Sequence, residues 1–153
     1  MTHLTKRQFL AAGALTAGTL VLPGAALAAA PAITTYQDPN CGCCHKWAAA
    51  AQKAGFAVTL RKVPDIMAMK AKLGVPEAVA SCHTSVVGGY LVEGHVPLSA
   101  VKKLLQTRPK GIAGIAVPGM PRGSPGMEMP DGSSDPFEVV AFNRQGATRR
   151  FSA

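Results

Sequence analysis

Aromatic side chains are scarce in this chain: one Trp, two Tyr and five Phe among 153 residues. A surface for stacking nucleic-acid bases needs such rings, so a single-strand binding platform is excluded. Acidic residues are also few, 8 against 16 Lys and Arg, which gives a formal net charge of +8. The positive charges are scattered (Lys46, Lys53, Arg61, Lys62, Lys70, Lys72, Lys102, Lys103) and form no stripe. They describe a solvated basic surface rather than a nucleic-acid groove. No internal repeat is visible. After the first thirty residues no long apolar run occurs, so no stable membrane insertion is expected once a leader is removed.

Those first residues have the form of an export signal. Lys6 and Arg7 form a basic region and Leu10 to Leu22 an apolar one. Pro23-Gly24 breaks any helix, and Ala26-Leu27-Ala28 is a small-x-small cleavage site. A bilayer span needs about 20 apolar residues, more than this stretch provides. Thr5-Lys6-Arg7-Gln8-Phe9-Leu10 resembles a twin-arginine signal with Lys6 in place of the first arginine. The expected division is a cleaved signal peptide over 1–28 and one domain over 29–153. Cleavage would lower Lys plus Arg from 16 to 14 and leave the 8 acids untouched. The expected location is the periplasm.

All four cysteines fall in the mature part, and three of them occupy Cys41-Gly42-Cys43-Cys44. Export places them in an oxidising compartment, where paired structural disulfides are the ordinary use. Three thiols within four residues make a poor staple, so the spacing favours chemistry over structure. Cys41 and Cys44 are three apart, immediately before an Ala-rich, helix-prone segment over His45 to Ala54. A helix N-terminus offers free N–H groups and positive potential, which stabilise thiolates. Cys43 would project to a different side from Cys44. Three sulfurs around a helix tip suit several ions bridged by thiolates better than one small ion. Soft thiolates select Cu(I), zinc or iron–sulfur clusters. Four thiolates would be neutralised by four Cu(I) ions.

Cys82, in Ser81-Cys82-His83-Thr84, supplies the fourth sulfur, and His83 a nitrogen donor. Met120, Met127 and Met129 lie in a Gly/Pro-rich stretch rather than on a periodic apolar face. Thioether sulfur suits Cu(I), so these three join the candidate ligands, with Met127-Glu128-Met129 the better pair. A zinc or iron–sulfur site would give that loop no purpose. His95, in Glu93-Gly94-His95-Val96-Pro97, is a further nitrogen that could serve as a ligand, although a surface turn is the expected place for it. The competing chemistry is thiol–disulfide exchange, with Cys41 attacking and Cys44 resolving. Cys43 argues against it, because a third adjacent thiol would scramble the pair.

The order of elements is β-α-β-α-β-β-α, followed by a hairpin. Ile33–Tyr36 and Phe56–Val63 are expected strands. Asp65 caps a helix over Ile66–Leu73 that Gly74 ends. Thr84–Val87 and Tyr90–Glu93 flank Gly88-Gly89 as a hairpin. A helix follows Pro97 and runs to about Gln106. The stretch from Pro109 to Pro136 is expected to be a long loop without regular elements. Phe137–Phe142 and Ala147–Phe151 form a closing hairpin. The fold class is α/β, a small mixed sheet flanked by helices.

From Asp38 to Trp47 the chain resembles a family of exported bacterial metal-binding proteins long carried as a domain of unknown function. Its members include the CopG-type copper-resistance proteins. The likeness continues through Ser81-Cys82-His83-Thr84, Gly89-Tyr90, Glu93 to Pro97 and Val117 to Glu128. It implies a thioredoxin-like fold, a periplasmic location and a cysteine-bridged copper cluster at Cys41, Cys43, Cys44 and Cys82. It also implies a role in copper handling, with interconversion of Cu(I) and Cu(II) and copper-efflux or copper-chaperone proteins as partners. Two departures from thioredoxin, Cys43 inside the Cys-x-x-Cys and Cys82-His83-Thr84 without a proline, open space for metal donors.

Overall fold

The computed structural model describes residues 30–152; the expected signal peptide lies outside them. Seven strands form one mixed sheet in the order β2-β1-β3-β4-β5-β6-β7. Strand β1 (Ala32–Gln37) leads into helix α1 (Gly42–Lys53), which returns to β2 (Ala57–Lys62). β2 lies parallel to β1, with Ala32 opposite Ala57. Helix α2 (Ile66–Leu73) and a 3-10 turn (Glu77–Val79) lead to β3 (His83–Val87) and β4 (Tyr90–Glu93). β3 is antiparallel to both β1 and β4. Helix α3 (Leu98–Thr107) precedes β5 (Gly114–Ala116), and β6 (Val140–Phe142) and β7 (Thr148–Arg150) close the sheet. A parallel β-α-β unit followed by an antiparallel ββ-α unit is compatible with the thioredoxin-like expectation.

Local sequence explains most boundaries. The Asp65 carboxylate accepts from the Ala68 amide at 2.9 Å and starts α2. Gly74, at φ 77°, ends it in the left-handed conformation. Gly88 and Gly89 both take positive φ, 56° and 85°, and join β3 to β4 in the expected register.

Two expectations need correction. Helix α1 begins at Gly42, so Cys43 and Cys44 lie in its first turn rather than ahead of it. The stretch from Pro109 to Pro136 is not free of regular structure, because β5 forms inside it and pairs with both β4 and β6. Its apolar run Ile112 to Val117 supplies buried side chains for a central strand position, and Gly114 lets the strand approach β4, since an added Cβ would lie 2.0 Å from the Leu91 carbonyl oxygen.

Alternating side chains sort onto the two faces of the sheet. Ile33, Val87, Val92, Ile115 and Ala141 face Trp47 and Ala51 of α1 and Ala100, Val101 and Leu104 of α3. Leu91, Ala116 and Phe142 face the other side, with Val75 and Val79. Between the layers sits a buried ion pair. Lys70 Nζ of α2 lies 2.5 Å from Glu93 Oε1, with the two side chains 2% and 0% exposed. Thr84 Oγ1 accepts from Lys70 at 3.0 Å and donates to Glu93 Oε2 at 2.6 Å. The Ser81 amide donates to Glu93 Oε1 at 2.6 Å. Burial pushes the Glu93 carboxyl above its ordinary range, against the opposing pull of Lys70, Thr84 and Ser81.

Removing one partner of such a pair leaves an uncompensated buried charge. Lys70→Met is therefore expected to lose about 3–5 kcal/mol of stability. Adding Glu93→Gln to it should recover part of the loss, since the amide still serves Ser81 and Thr84. Urea denaturation midpoints of the wild-type, single and double variants measure both effects.

Candidate metal centre

The site forms where the N-terminus of α1 meets the start of β3. Cys41 is the N-cap residue of α1, and no side chain caps the first N–H groups. No acidic residue occupies the first turn, so the positive end of the helix is left to the sulfurs. Cys82 arrives from the other segment, just before β3. Its Sγ lies 3.7 Å from Cys44 Sγ and 4.0 Å from Cys43 Sγ, while Cys41 and Cys43 are 3.5 Å apart. All four sulfurs fall within 4.8 Å of one another. The convergence expected from sequence is therefore present, and closer than a helix tip suggested.

One feature departs from the four-thiolate expectation. Cys41 and Cys44 are joined by a disulfide with Cα atoms 5.5 Å apart, and Cys43 and Cys82 are free. The i, i+3 spacing at a helix start supplies the separation a disulfide needs. Cys44 is fully buried and Cys41 only partly so.

His95 is the second correction. It is not a surface turn residue: it is completely buried, and its Nε2 lies 2.9 Å from Cys82 Sγ. Its Nδ1 is 2.8 Å from the Pro125 carbonyl, which can only accept. The proton therefore sits on Nδ1, and Nε2 turns its lone pair toward Cys82. The signal was available in the hairpin. Carrying the pairing Thr84↔Glu93 two residues further sets Cys82 opposite His95. His83 is also fully buried, with Nδ1 3.2 Å from Cys82 Sγ and Nε2 without any partner. Its ring packs against Trp47 at 4.9 Å and meets His95 edge-on at 5.0 Å. Cys82, His83 and His95 thus form a second donor set sharing one sulfur with the first.

The methionines divide. Met127 and Met129 line an open groove of about 350 Å³ with Gly42, Cys43, Lys46 and Glu128. Met120 is 55% exposed and lines no part of that groove. The loop is held close to α1 by Gly126, at φ 87°, where an added Cβ would lie 2.8 Å from the Trp47 amide nitrogen. The Glu128 carboxylate accepts from the Gly126 amide at 2.7 Å, the main cause of its acidity, with Lys46 nearby adding to it.

Burial, then the proximity of Cys43, pushes the Cys82 thiol up to about 12, with Lys70 and Ser81 pulling the other way. Burial holds His95 below its ordinary value. Burial, reinforced by His95 and Lys70, pushes His83 down to about 3. Both rings are neutral and able to donate a lone pair to a metal. A metal taking Cys82 must displace its proton.

The His83 shift carries a stability consequence for the metal-free protein. The unfolded ring protonates near its ordinary 6.5, while the folded ring resists protonation down to about 3. The stability this gives is complete above pH 6.5 and is lost as pH falls from there toward 3. Denaturation midpoints should decline across that window. His83→Gln should start lower at neutral pH and decline less steeply.

Residues 79–127 match a family model described as a protein of unknown function, DUF411. No curated protein matches the chain. Two solved structures are similar to it, both of a "Copper resistance protein copG". Form 1 is 45% identical, with a TM-score of 0.73, over 79% of this chain and 94% of that one. Form 2 is 43% identical, with a TM-score of 0.74, over 80% and 97%. Identity at this level across nearly the whole of those chains, with the same mixed α/β architecture, is decisive: this chain belongs to the CopG-type copper-resistance family.

Proposed function

We infer that this protein binds copper as cargo, holding Cu(I) on the reduced thiolates of Cys41, Cys43, Cys44 and Cys82 in a bridged, multinuclear site that serves copper resistance. The observation that carries this reading is the placement of Cys82 within 4.0 Å of both Cys43 and Cys44 from a distant part of the chain. A disulfide framework has no use for a fourth sulfur there with two imidazoles behind it. Four soft sulfurs at bridging separation, with neutral nitrogens from His83 and His95, form a donor set that favours Cu(I). The His95 Nδ1–H anchored on a backbone carbonyl is the support that a metal-ligating imidazole ordinarily has. Met127 and Met129 line the groove beside Cys43 and offer weaker thioether donors for capture or release. Met120 stands apart as a donor exposed to solvent.

The Cys41–Cys44 bond gives the site a redox couple. Oxidation of these two thiols to the disulfide releases two electrons and two protons, which would reduce two Cu(II) to two Cu(I). The reverse consumes the same. This reading places the mature chain, residues 29–153, in the periplasm, exchanging copper with efflux or chaperone proteins. The disulfide also supports a second reading, thiol–disulfide oxidoreduction by Cys41 and Cys44. Cys41 is partly exposed and Cys44 buried, the asymmetry that an attacking and a resolving thiol require.

Titration of the reduced mature protein with Cu(I) under anaerobic conditions separates the two. More than one copper per chain is expected, with sulfur-to-copper charge-transfer absorption, and Cys43→Ser should reduce the stoichiometry. Met127→Leu with Met129→Leu should weaken affinity or slow uptake while leaving the copper count unchanged. Absence of copper binding together with insulin-reductase activity would establish the oxidoreductase instead.

A further inference from the structure

The Cys41–Cys44 disulfide changes which donors the centre has left. A metal takes a thiolate, and a sulfur bonded to another sulfur carries no such charge. The bond therefore withdraws two of the four sulfurs, while Cys43 and Cys82 stay free. Around Cys82 two imidazoles remain in place, with His95 Nε2 at 2.9 Å and His83 Nδ1 at 3.2 Å from its Sγ. The donor atoms of Cys82, His83 and His95 all lie within 4.8 Å of one another, and Cys41, Cys43 and Cys44 do not belong to that set. For an ion of zinc's size, bonds of about 2.3 Å to sulfur and about 2.0–2.1 Å to nitrogen put donors roughly 3–4 Å apart. One sulfur and two nitrogens at the observed spacing close on a single ion with small side-chain movements.

Both imidazoles are completely buried. His83 opens β3, and His95 stands two residues beyond the end of β4. The rings lie at 85° to each other with centroids 5.0 Å apart, so they approach the thiol in different planes. The Pro125 carbonyl holds His95 Nδ1–H at 2.8 Å and leaves Nε2 to the metal. A thiolate with two imidazoles is a donor set that copper takes in a trigonal arrangement. Nothing in this set depends on the state of Cys41 or Cys44.

We propose that the disulfide form of this protein keeps a single copper ion on Cys82, His83 and His95, so that the Cys41–Cys44 bond sets how much copper the chain carries. This rests on the copper-binding reading above and specifies its regulation. In the reduced form four thiolates share several ions. In the disulfide form the bridged cluster has lost two of its sulfurs, and only the inner set still closes. Binding there exchanges the Cys82 proton for the ion and neither makes nor breaks the disulfide. Cys43, partly exposed beside the Met127 and Met129 groove, belongs to the part of the load that is lost. Conversion between the two forms changes the cargo without emptying the protein.

The test uses the metal-free mature protein in both forms, the disulfide form defined by its mass and by two free thiols. Each form is titrated anaerobically with Cu(I) against a competing Cu(I) chelator, and X-ray absorption reports the neighbours of the bound ion. The disulfide form is expected to hold one Cu(I) per chain with both nitrogen and sulfur neighbours. The reduced form is expected to hold more than one, with mainly sulfur neighbours. His83→Gln and His95→Asn should each weaken the single ion by about tenfold or more, since loss of a supporting contact alone costs that much. Cys43→Ser should leave the single ion bound. A disulfide form that takes no copper, while the reduced form takes several ions, would overturn the proposal and leave the reading beneath it standing. So would a single ion that disappears in Cys43→Ser or that has no nitrogen neighbour. Copper binding by neither form would overturn both.

Discussion

The sulfur cluster joins two chain segments about forty residues apart, and the buried Lys70–Glu93 pair fixes the one that carries Cys82. Glu93 takes the Ser81 amide, the Thr84 hydroxyl and the Lys70 ammonium at once. One carboxylate thereby ties α2, the start of β3 and the end of β4 to a single point, immediately beside Cys82. Without that tie, the residue before β3 would be an ordinary loop position with freedom to turn its thiol elsewhere. Burying two charges costs several kcal/mol per ion before pairing returns it. The return here is positional: a sulfur delivered to within bridging distance of three others.

The same economy of position governs the nitrogens. His83 and His95 leave opposite strands of one hairpin and close on the same thiol. Neither is exposed, burial keeps both neutral, and each retains a lone pair for a soft ion. The site is therefore chemically double. Reduced, it offers thiolates and imidazoles to copper. Oxidised, it holds a disulfide under the eye of a third thiol.

Much of this was legible in the sequence. The triple-cysteine turn, the cap at Asp65 and the Gly88-Gly89 hairpin rest on local rules that tertiary contacts did not override, and the approach of Cys82 to that turn follows from the order of the elements. What was missed depended on long-range context. β5 is three residues between glycines and prolines, too short to show periodicity, and it exists because β4 and β6 flank it. His95 follows a glycine in a polar-looking turn, and only the loop folding back over it makes it buried. Its pairing with Cys82 was nonetheless implied by the hairpin register. The Cys41–Cys44 bond was discounted because a third thiol stands beside it, although the spacing itself permits the bond.

The hydrogen bond from His95 to Pro125 has a particular evolutionary character. Its acceptor is main chain, and proline contributes no side chain that could replace it. Substitution within the loop leaves that carbonyl in place, whereas adding or deleting a single residue between Val117 and Pro125 would move it. The tautomer of the imidazole is therefore insulated from point changes and hostage to loop length. Spacing, more than composition, is what this segment has to keep.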